Sequence, residues 1–397
     1  MIAFVCHPYH RGGVTSWMCN AFLECQTSGI SSKFITIKPK KPFISGGNRP
    51  TMASMLGDSL DVHLLELGLN FELATQEFRI NVYRNLILNH VPKGASLIPS
   101  DDEACWLACL AVSRHYKVIG VLHSDDPFYY NLFQKYQKYL SATVSVSKRI
   151  KYKAEQSGHC QHHVVIPCGI FLEKPSVDIE KENQIIWIGR VEEEQKRVSD
   201  IIPIAVSLKK KIQDWKILVF GDGSKLNELK ELTQEKGLIN HIKFFGWVDN
   251  KIINAHLIQS KVMLQTSNYE GMSVAVMEGL GGGCSIVSSM VSGVEDLLQD
   301  SNSSGVVRLF PVGDIELAAT QLKDALNEFS QEKISQAISL ADERFSIQNC
   351  VKNYKILCES LEINPLAFPQ KRLSYMLKVK FSWVIVATRA IKYKIFS

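Results

Sequence analysis

Short apolar runs alternate along the chain with amphipathic segments of helical period, the pattern of strands and helices in βα order and of parallel sheets. In the first half the runs that predict strands are Ile2–Cys6, Lys33–Ile37, Val62–Leu67, Ser96–Ile98, Val118–Leu122, Ala142–Val146 and His163–Ile166. In the second half they are Gln184–Ile188, Lys216–Phe220, Ile242–Phe245, Val262–Gln265 and Cys284–Ser288. Between the two sets lies Pro167 to Glu182, which holds Pro167, Gly169 and Pro175 and reads as a linker. The expected organisation is α/β: a Rossmann-like, doubly wound domain over residues 1–172, a second over 173–345, and a helical region with a basic amphipathic tail over 346–397. Such sheets bind ligands at the carboxyl ends of their strands, so two facing domains enclose a cleft.

Length agrees with this division, since 397 residues exceed one compact core and suit two domains of about 150 to 200 residues each. Hydrophobic content of 46% and charged content of 21% are those of an ordinary globular protein, which excludes a disordered chain. The ten cysteines form no CxxC pair, and Cys105 and Cys109 share one helical face, so reduced core thiols and a cytosolic setting are expected. MIAFVCHP has no basic leader and reads as a first buried strand rather than a secretory signal. No apolar stretch approaches the roughly 20 residues that span a bilayer.

Charge changes the picture only at the C-terminal end. The net charge is +5, but no acidic residue follows Glu362, while Lys371, Arg372, Lys378, Lys380, Arg389, Lys392 and Lys394 are interleaved with apolar and aromatic side chains. Residues 370–397 are thus expected to meet an anionic membrane surface, at about 1 kcal/mol per cation. A terminal helix packed on the protein with its lysines in water is the alternative. Nucleic acid is not expected as a partner, because no recognition motif accompanies the charge.

The candidate chemistry concentrates in NYEGMSVAVMEGLGGGCSIVSSMVSGVEDLL, residues 268–298. Glu270 and Glu278 stand eight positions apart, a little over two turns at roughly 3.6 residues per turn, so a helix from about Gly271 sets two acceptors on one face. The N–H groups of Gly271, Met272 and Ser273 then open that helix and offer a phosphate site. A sugar nucleotide suits both features, with hydroxyls for the carboxylates and a diphosphate for the amides. Arg190 ends the strand WIGR and Lys196 follows six positions later, two cations able to stabilise a leaving diphosphate; a surface salt-bridge cluster is the alternative. Gly12 and Gly13 follow the first strand, where backbone amides can approach a ligand closely. His123 ends the strand VIGVLH. Gly221 lies in the turn Gly221-Asp222-Gly223, and Trp247 and Val248 follow the strand ending at Phe245. Asp101-Asp102 and Asp125-Asp126 read as helix starts rather than metal ligands. His159, Cys160, His162, His163 and Cys168 match no familiar zinc spacing. No metal and no resident cofactor are expected.

The order E-G-x-S-x-x-x-x-E, G-x-x-x-V-x-S and G-V-x-D, with Gly281 to Gly283 between, resembles glycosyltransferase family 4, retaining enzymes of the GT-B architecture. The resemblance implies a nucleoside-diphospho-hexose donor bound without metal. It places Glu278 on the ribose hydroxyls and Glu270 on the donor sugar. It also places Arg190, Lys196 and the amides of Met272 and Ser273 on the diphosphate, with His123 and the Gly12-Gly13 loop completing the cleft. Gly221 falls in the phosphate-side turn, Trp247 and Val248 in the base-binding region, and the C-terminal helix crosses back to the first domain. Arg197 stands where many relatives have glycine.

The expected activity is retaining transfer of a hexosyl unit to a membrane-associated glycan or lipid-linked acceptor in cell-surface polysaccharide or lipopolysaccharide synthesis, in the cytoplasm on the inner face of the cell membrane. A non-catalytic sugar-nucleotide-binding scaffold and a sugar-nucleotide epimerase are the rivals. An epimerase needs a further acid/base pair at the sugar ring. A first strand followed by HPYHRGG lacks the G-x-G-x-x-G turn of dinucleotide oxidoreductases.

Overall fold

The computed structural model describes residues 1–7, 13–39, 56, 62–67, 74–172, 175, 180–300, 303–366, 368 and 369. Gly12 and the tail 370–397 lie outside them. The first domain is built on β1 (Ile2–Val5), β2 (Ser32–Pro39), β3 (Val62–Leu67), β4 (Ser96–Pro99), β5 (Lys117–Leu122), β6 (Ala142–Ser145) and β7 (His163–Val165). These pair in parallel in the order β3-β2-β1-β4-β5-β6-β7. The second uses β8 (Glu182–Ile188), β9 (Lys216–Phe220), β10 (Ile242–Gly246), β11 (Ser260–Gln265), β12 (Ser285–Ser289) and β13 (Val307–Phe310). Its order is β10-β9-β8-β11-β12-β13, again parallel.

Each sheet therefore reverses its winding once, between β1 and β4 in the first domain and between β8 and β11 in the second. Beyond the carboxyl ends of those strands the flanking loops diverge, and ligands of open α/β sheets bind there. The strand expected from each apolar run is present, and β13 is an addition. Its sequence, VRLF, carries Arg308 and is too short and too mixed to stand out.

One apolar core surrounds the first sheet and continues through the domain interface onto one face of the second, through Trp17, Trp106, Phe133, Met263, Met277 and Phe345. A separate core fills the other face of the second sheet around Trp187, Ile201, Ile204 and Leu322. All ten cysteines are free and buried.

The chain crosses between domains twice, and the crossings touch. Ile170 forms an isolated parallel bridge with Ser346, through Ile170 N–H to Phe345 O at 2.9 Å and Ile347 N–H to Ile170 O at 3.0 Å. The last described helix, Ile347–Ser360, is capped by Ser346 and returns to the first domain. There the Trp17 indole donates to Cys350 Sγ at 3.5 Å, Gln348 to Glu24 at 3.1 Å, and Lys117 to the Cys358 carbonyl at 2.9 Å. Among the described residues no helix is long and apolar enough to cross a membrane.

Lys181, just before β8, is buried at the opposite end of the second sheet from the cleft. Its ammonium donates to the carbonyls of Leu257 at 3.0 Å, Ser260 at 2.9 Å and Gly282 at 2.7 Å. Those carbonyls close the helices Asn250–Gln259 and Val274–Gly281, so one cation offsets two helix C-termini. Burial lowers its pKa.

Candidate functional site

At the second switch point the loop after β8 carries Arg190 and Lys196, and the loop after β11 carries Glu270. The Lys196 ammonium meets the Glu270 carboxylate at 2.6 Å, and Ser267 donates to the same oxygen at 2.7 Å. The Lys196 and Glu270 side chains are only 15% and 8% exposed, so the pair is largely desolvated and each partner fixes the other. Sequence reasoning gave these two residues separate duties, and their pairing across 74 positions had no signal in the chain. Ser267 was missed as well, although its place just beyond a strand end was readable.

Arg190 differs. Its side chain is 64% exposed and lies along the loop, donating to Glu192 at 3.1 Å and Gln195 at 2.6 Å. Gln195 in turn donates to the Tyr269 carbonyl at 3.4 Å, tying the two loops together. Arg197 adopts the left-handed conformation, φ 44° and ψ 48°, that explains why glycine is common there. Its guanidinium holds Asp200 through two bonds of 2.8 and 3.1 Å, so the loop keeps its path without glycine.

The helix expected from Gly271 begins three residues later. It spans Val274–Gly281, and extended Ser273 is its cap, the hydroxyl accepting from Val276 N–H. Gly271 and Met272 precede the helix, so they do not open it. Glu270 is accordingly not on the helix, and the eight-residue spacing does not set it on one helical face with Glu278. The physical reason is Gly271 itself, which bridges to Ser124 of the first domain. An added Cβ there would come within 1.7 Å of the His123 carbonyl oxygen, so only glycine allows this approach. Asp125 N–H donates to the Glu270 carbonyl at 3.2 Å beside it.

Glu278 sits in the middle of that helix. It is enclosed by protein yet keeps part of its surface open, and burial pushes its carboxyl up to about 7. Among the described residues its side chain has no hydrogen-bond or ion-pair partner. A largely buried carboxylate in that state is costly unless a ligand supplies donors.

From the first domain, Gly13 opens the helix Gly13–Thr27, and a Cβ on it would stand 3.4 Å from Val274 Cγ2, so two helix starts meet across the cleft. His123 is 8% exposed, its ring 5.0 Å from that of Trp17 and 6.1 Å from that of Tyr129. Desolvation takes its pKa down to about 3, so the ring is neutral. Nδ1 lies 3.9 Å from Cys168 Sγ, and Nε2 is buried without a hydrogen-bond partner among the described residues.

Behind Arg190, a Cβ on Gly221, at φ +131°, would come within 1.8 Å of the Gly189 carbonyl oxygen, so the two loops touch backbone to backbone. At the end of β10, Gly246 at φ +68° turns Trp247 outward, 47% exposed, while Val248 packs inward. The packed ring there is Phe245, stacked on Phe220 at 4.3 Å. Of the two Asp pairs only the second member caps: Asp102 accepts from Ala104 N–H at 2.9 Å and Asp126 from Phe128 N–H at 2.7 Å. Among the described residues no group of three or more His, Cys, Asp or Glu side chains is placed to hold a metal ion.

Residues 171–339 match the family model described as glycosyl transferases group 1. The lipopolysaccharide 1,6-galactosyltransferase of Escherichia coli is 25% identical over 307 residues, 70% of this chain and 84% of that protein. An α-1,4-N-acetyl-D-galactosaminyltransferase of Campylobacter jejuni, named for a diphospho-undecaprenol-linked glycan, is 27% identical over 248 residues, 62% of this chain and 56% of that protein. Among solved structures, the pneumococcal O-GlcNAc transferase GtfA in complex with UDP and GlcNAc superposes with a TM-score of 0.72 at 11% identity, over 90% of this chain and 98% of that one. The fold is GT-B, and the matches support a glycosyltransferase.

Proposed function

We propose that the protein is a retaining glycosyltransferase of family 4 that moves a hexosyl unit from a uridine-diphospho-sugar to a hydroxyl of a membrane-associated glycan or lipid-linked acceptor. The observation that carries this is Glu278, a carboxylate enclosed by protein, with no partner among the described residues, one helix away from the Lys196–Glu270 pair. Two vicinal ribose hydroxyls supply the two donors it lacks. UDP is the nucleotide in the superposed pneumococcal structure.

In this reading Lys196 shares its charge between Glu270 and the β-phosphate, and Glu270 accepts from a hydroxyl of the donor sugar. Arg190 swings from Glu192 onto the diphosphate, and the amides of Met272 and Ser273 and the first turn of the helix from Val274 face it. Gly221 gives the phosphates close access, Val248 and Trp247 border the base, and neutral His123 meets a sugar hydroxyl through Nε2. The bond from the anomeric carbon to the β-phosphate oxygen breaks while the acceptor oxygen bonds on the same face, and its proton passes to the leaving phosphate. Positive charge comes from Lys196 and Arg190, so turnover is proposed to be metal-independent. The basic tail 370–397 holds the protein on the cytoplasmic face of the membrane.

Calorimetry of UDP, GDP, ADP and CDP, with EDTA and then with magnesium, tests this on wild type and Glu278→Ala. UDP binding in EDTA that drops tenfold or more in the variant is the expected result. Equal binding by the variant, or none by wild type, sinks the assignment. Loss of binding to anionic vesicles on removal of residues after Pro369 is expected, and unchanged binding defeats the membrane part.

A further inference from the structure

The loop Glu270-Gly271-Met272 is held on two sides, by the first domain and by a strip of its own domain. On one side lie the His123 carbonyl and the Asp125 amide. On the other lies Gly293, at φ +83°, where a Cβ would stand 2.5 Å from the Gly271 carbonyl oxygen and 3.2 Å from Met272 Cα. Gly293 belongs to the strip 291–299, and this strip is fastened to the first-domain helix Lys148–Ser157 by a dense polar contact.

Ser147 and Ser292, both fully buried, share a hydrogen bond of 2.6 Å across the domain boundary. Asp296, 5% exposed, accepts from the Lys148 backbone N–H at 2.8 Å, which puts a carboxylate of one domain on the N-terminus of a helix of the other. Glu295 takes Arg149 in a two-pronged ion pair, Nε to Oε1 at 2.5 Å and Nη2 to Oε2, and the Lys148 ammonium reaches Gln299. Bidentate pairs of this kind fix geometry as well as supply energy.

We propose that Arg149, with Ser147 and the first turn of its helix, positions the donor loop: the clasp on Ser292, Glu295 and Asp296 sets the height of the strip on which Gly271 and Met272 rest. Arg149 and Glu295 are positioning residues, since they act on the Glu270 loop through Gly293 and touch no reacting atom. Their side chains are 30% and 25% exposed, so the link is within reach of solvent and of salt. The consequence is that a residue of the first domain sets how well the second domain holds its nucleotide. The inference rests on the donor-site reading above.

The test is a charge swap in the full chain: Arg149→Glu, Glu295→Arg and the double variant, with UDP affinity by calorimetry, compactness by solution X-ray scattering and folding by thermal melts. Each single swap is expected to weaken UDP about tenfold and to enlarge the radius of gyration, with the double swap returning both to within about threefold and to the wild-type radius. A purely local structural role predicts lower melting temperatures with unchanged UDP affinity, and that result overturns the proposal. So does a folded double variant that stays as weak as the singles. If a single swap fails to fold, Arg149→Met with Glu295→Met replaces it, and UDP affinity equal to wild type then counts against the clasp. A wild type that binds no UDP defeats the donor reading and the proposal with it. Binding by wild type that all variants match defeats the clasp alone.

Discussion

At the first switch point β1 and β4 run out into His7, Ser100 and Asp102, and these residues answer one another. His7 N–H donates to Ser100 Oγ at 3.3 Å, and the Asp102 carboxylate lies 3.6 Å from His7 Nε2, takes Arg79 at 3.3 Å and caps the helix Glu103–Ala111. At the second, β8 and β11 run out into Arg190, Lys196 and Glu270. There the inner pair is just as closed, but Arg190 is mostly in solvent and Glu278 has no described partner. The same topology thus ends in one network whose carboxylate, Asp102, is engaged by a cation and a helix start of its own domain and in one whose second carboxylate, Glu278, has no described partner. The second is where the proposed reading puts the diphosphate.

The sharpest way to break this contrast is to remove one carboxylate from each network. Glu270→Ala leaves the Lys196 ammonium unpaired in a largely desolvated place, so stability falls by about 3 kcal/mol. On the proposed reading turnover of a UDP-hexose is expected to drop by about 100-fold or more, through loss of a contact to the donor sugar. Asp102→Ala lowers stability through the lost cap and the Arg79 pair, by about 1 to 2 kcal/mol, and leaves UDP affinity unchanged. Equal losses of turnover in both variants, or a loss of UDP affinity in Asp102→Ala, measured beside urea melts, would erase the distinction.

A smaller effect concerns pH. The Glu278 carboxyl is raised from 4.5 to about 7. Because the folded value exceeds the unfolded one, its contribution to stability is complete below 4.5 and is lost as pH rises through 7, by about 3 kcal/mol at most. The ionised form is the one that accepts from two hydroxyls, so UDP affinity moves the opposite way and strengthens between about pH 6 and 8. Glu278→Gln should flatten both profiles, and a variant that keeps the wild-type slopes assigns them to another group. The smallest change is expected for Arg197→Gly. Relief of a left-handed residue is worth about 1 kcal/mol, and the pair it costs, with the Arg197 side chain 29% and the Asp200 side chain 10% exposed, is worth about as much. The urea midpoint should hold or rise slightly, and a clear drop would show that the ion pair dominates.

Much of the scaffold is legible in the chain because buried parallel strands are continuous apolar runs. β13 escapes for the same reason, as Arg308 interrupts it. The site residues Arg190, Lys196, Glu270 and Glu278 could be picked out because charge at strand ends and beside glycine is chemically conspicuous. Their mutual arrangement could not. The helix start at Val274 depends on a contact between Gly271 and His123 made by another domain, and local periodicity carries no trace of a partner 148 residues earlier. The desolvated state of His123 and the clasp at Arg149 are likewise products of folding across the interface, and the embrace of Lys196 by Glu270 is one of folding across 74 positions within the second domain.

The bridge between Ile170 and Ser346 has a bearing on how such chains can be rebuilt. Because the helix after Ser346 rejoins the first domain, everything from residue 171 to 345 is, in chain order, a cassette inserted into a host, and its two seams lie side by side as one hydrogen-bonded rung. A graft that exchanges this cassette with that of a relative has one short joint to refit rather than two distant ones. The surfaces it must then reconcile are the His123–Gly271 approach and the Arg149–Glu295 strip, a short roster of positions to recombine when chimaeras with new specificity are sought.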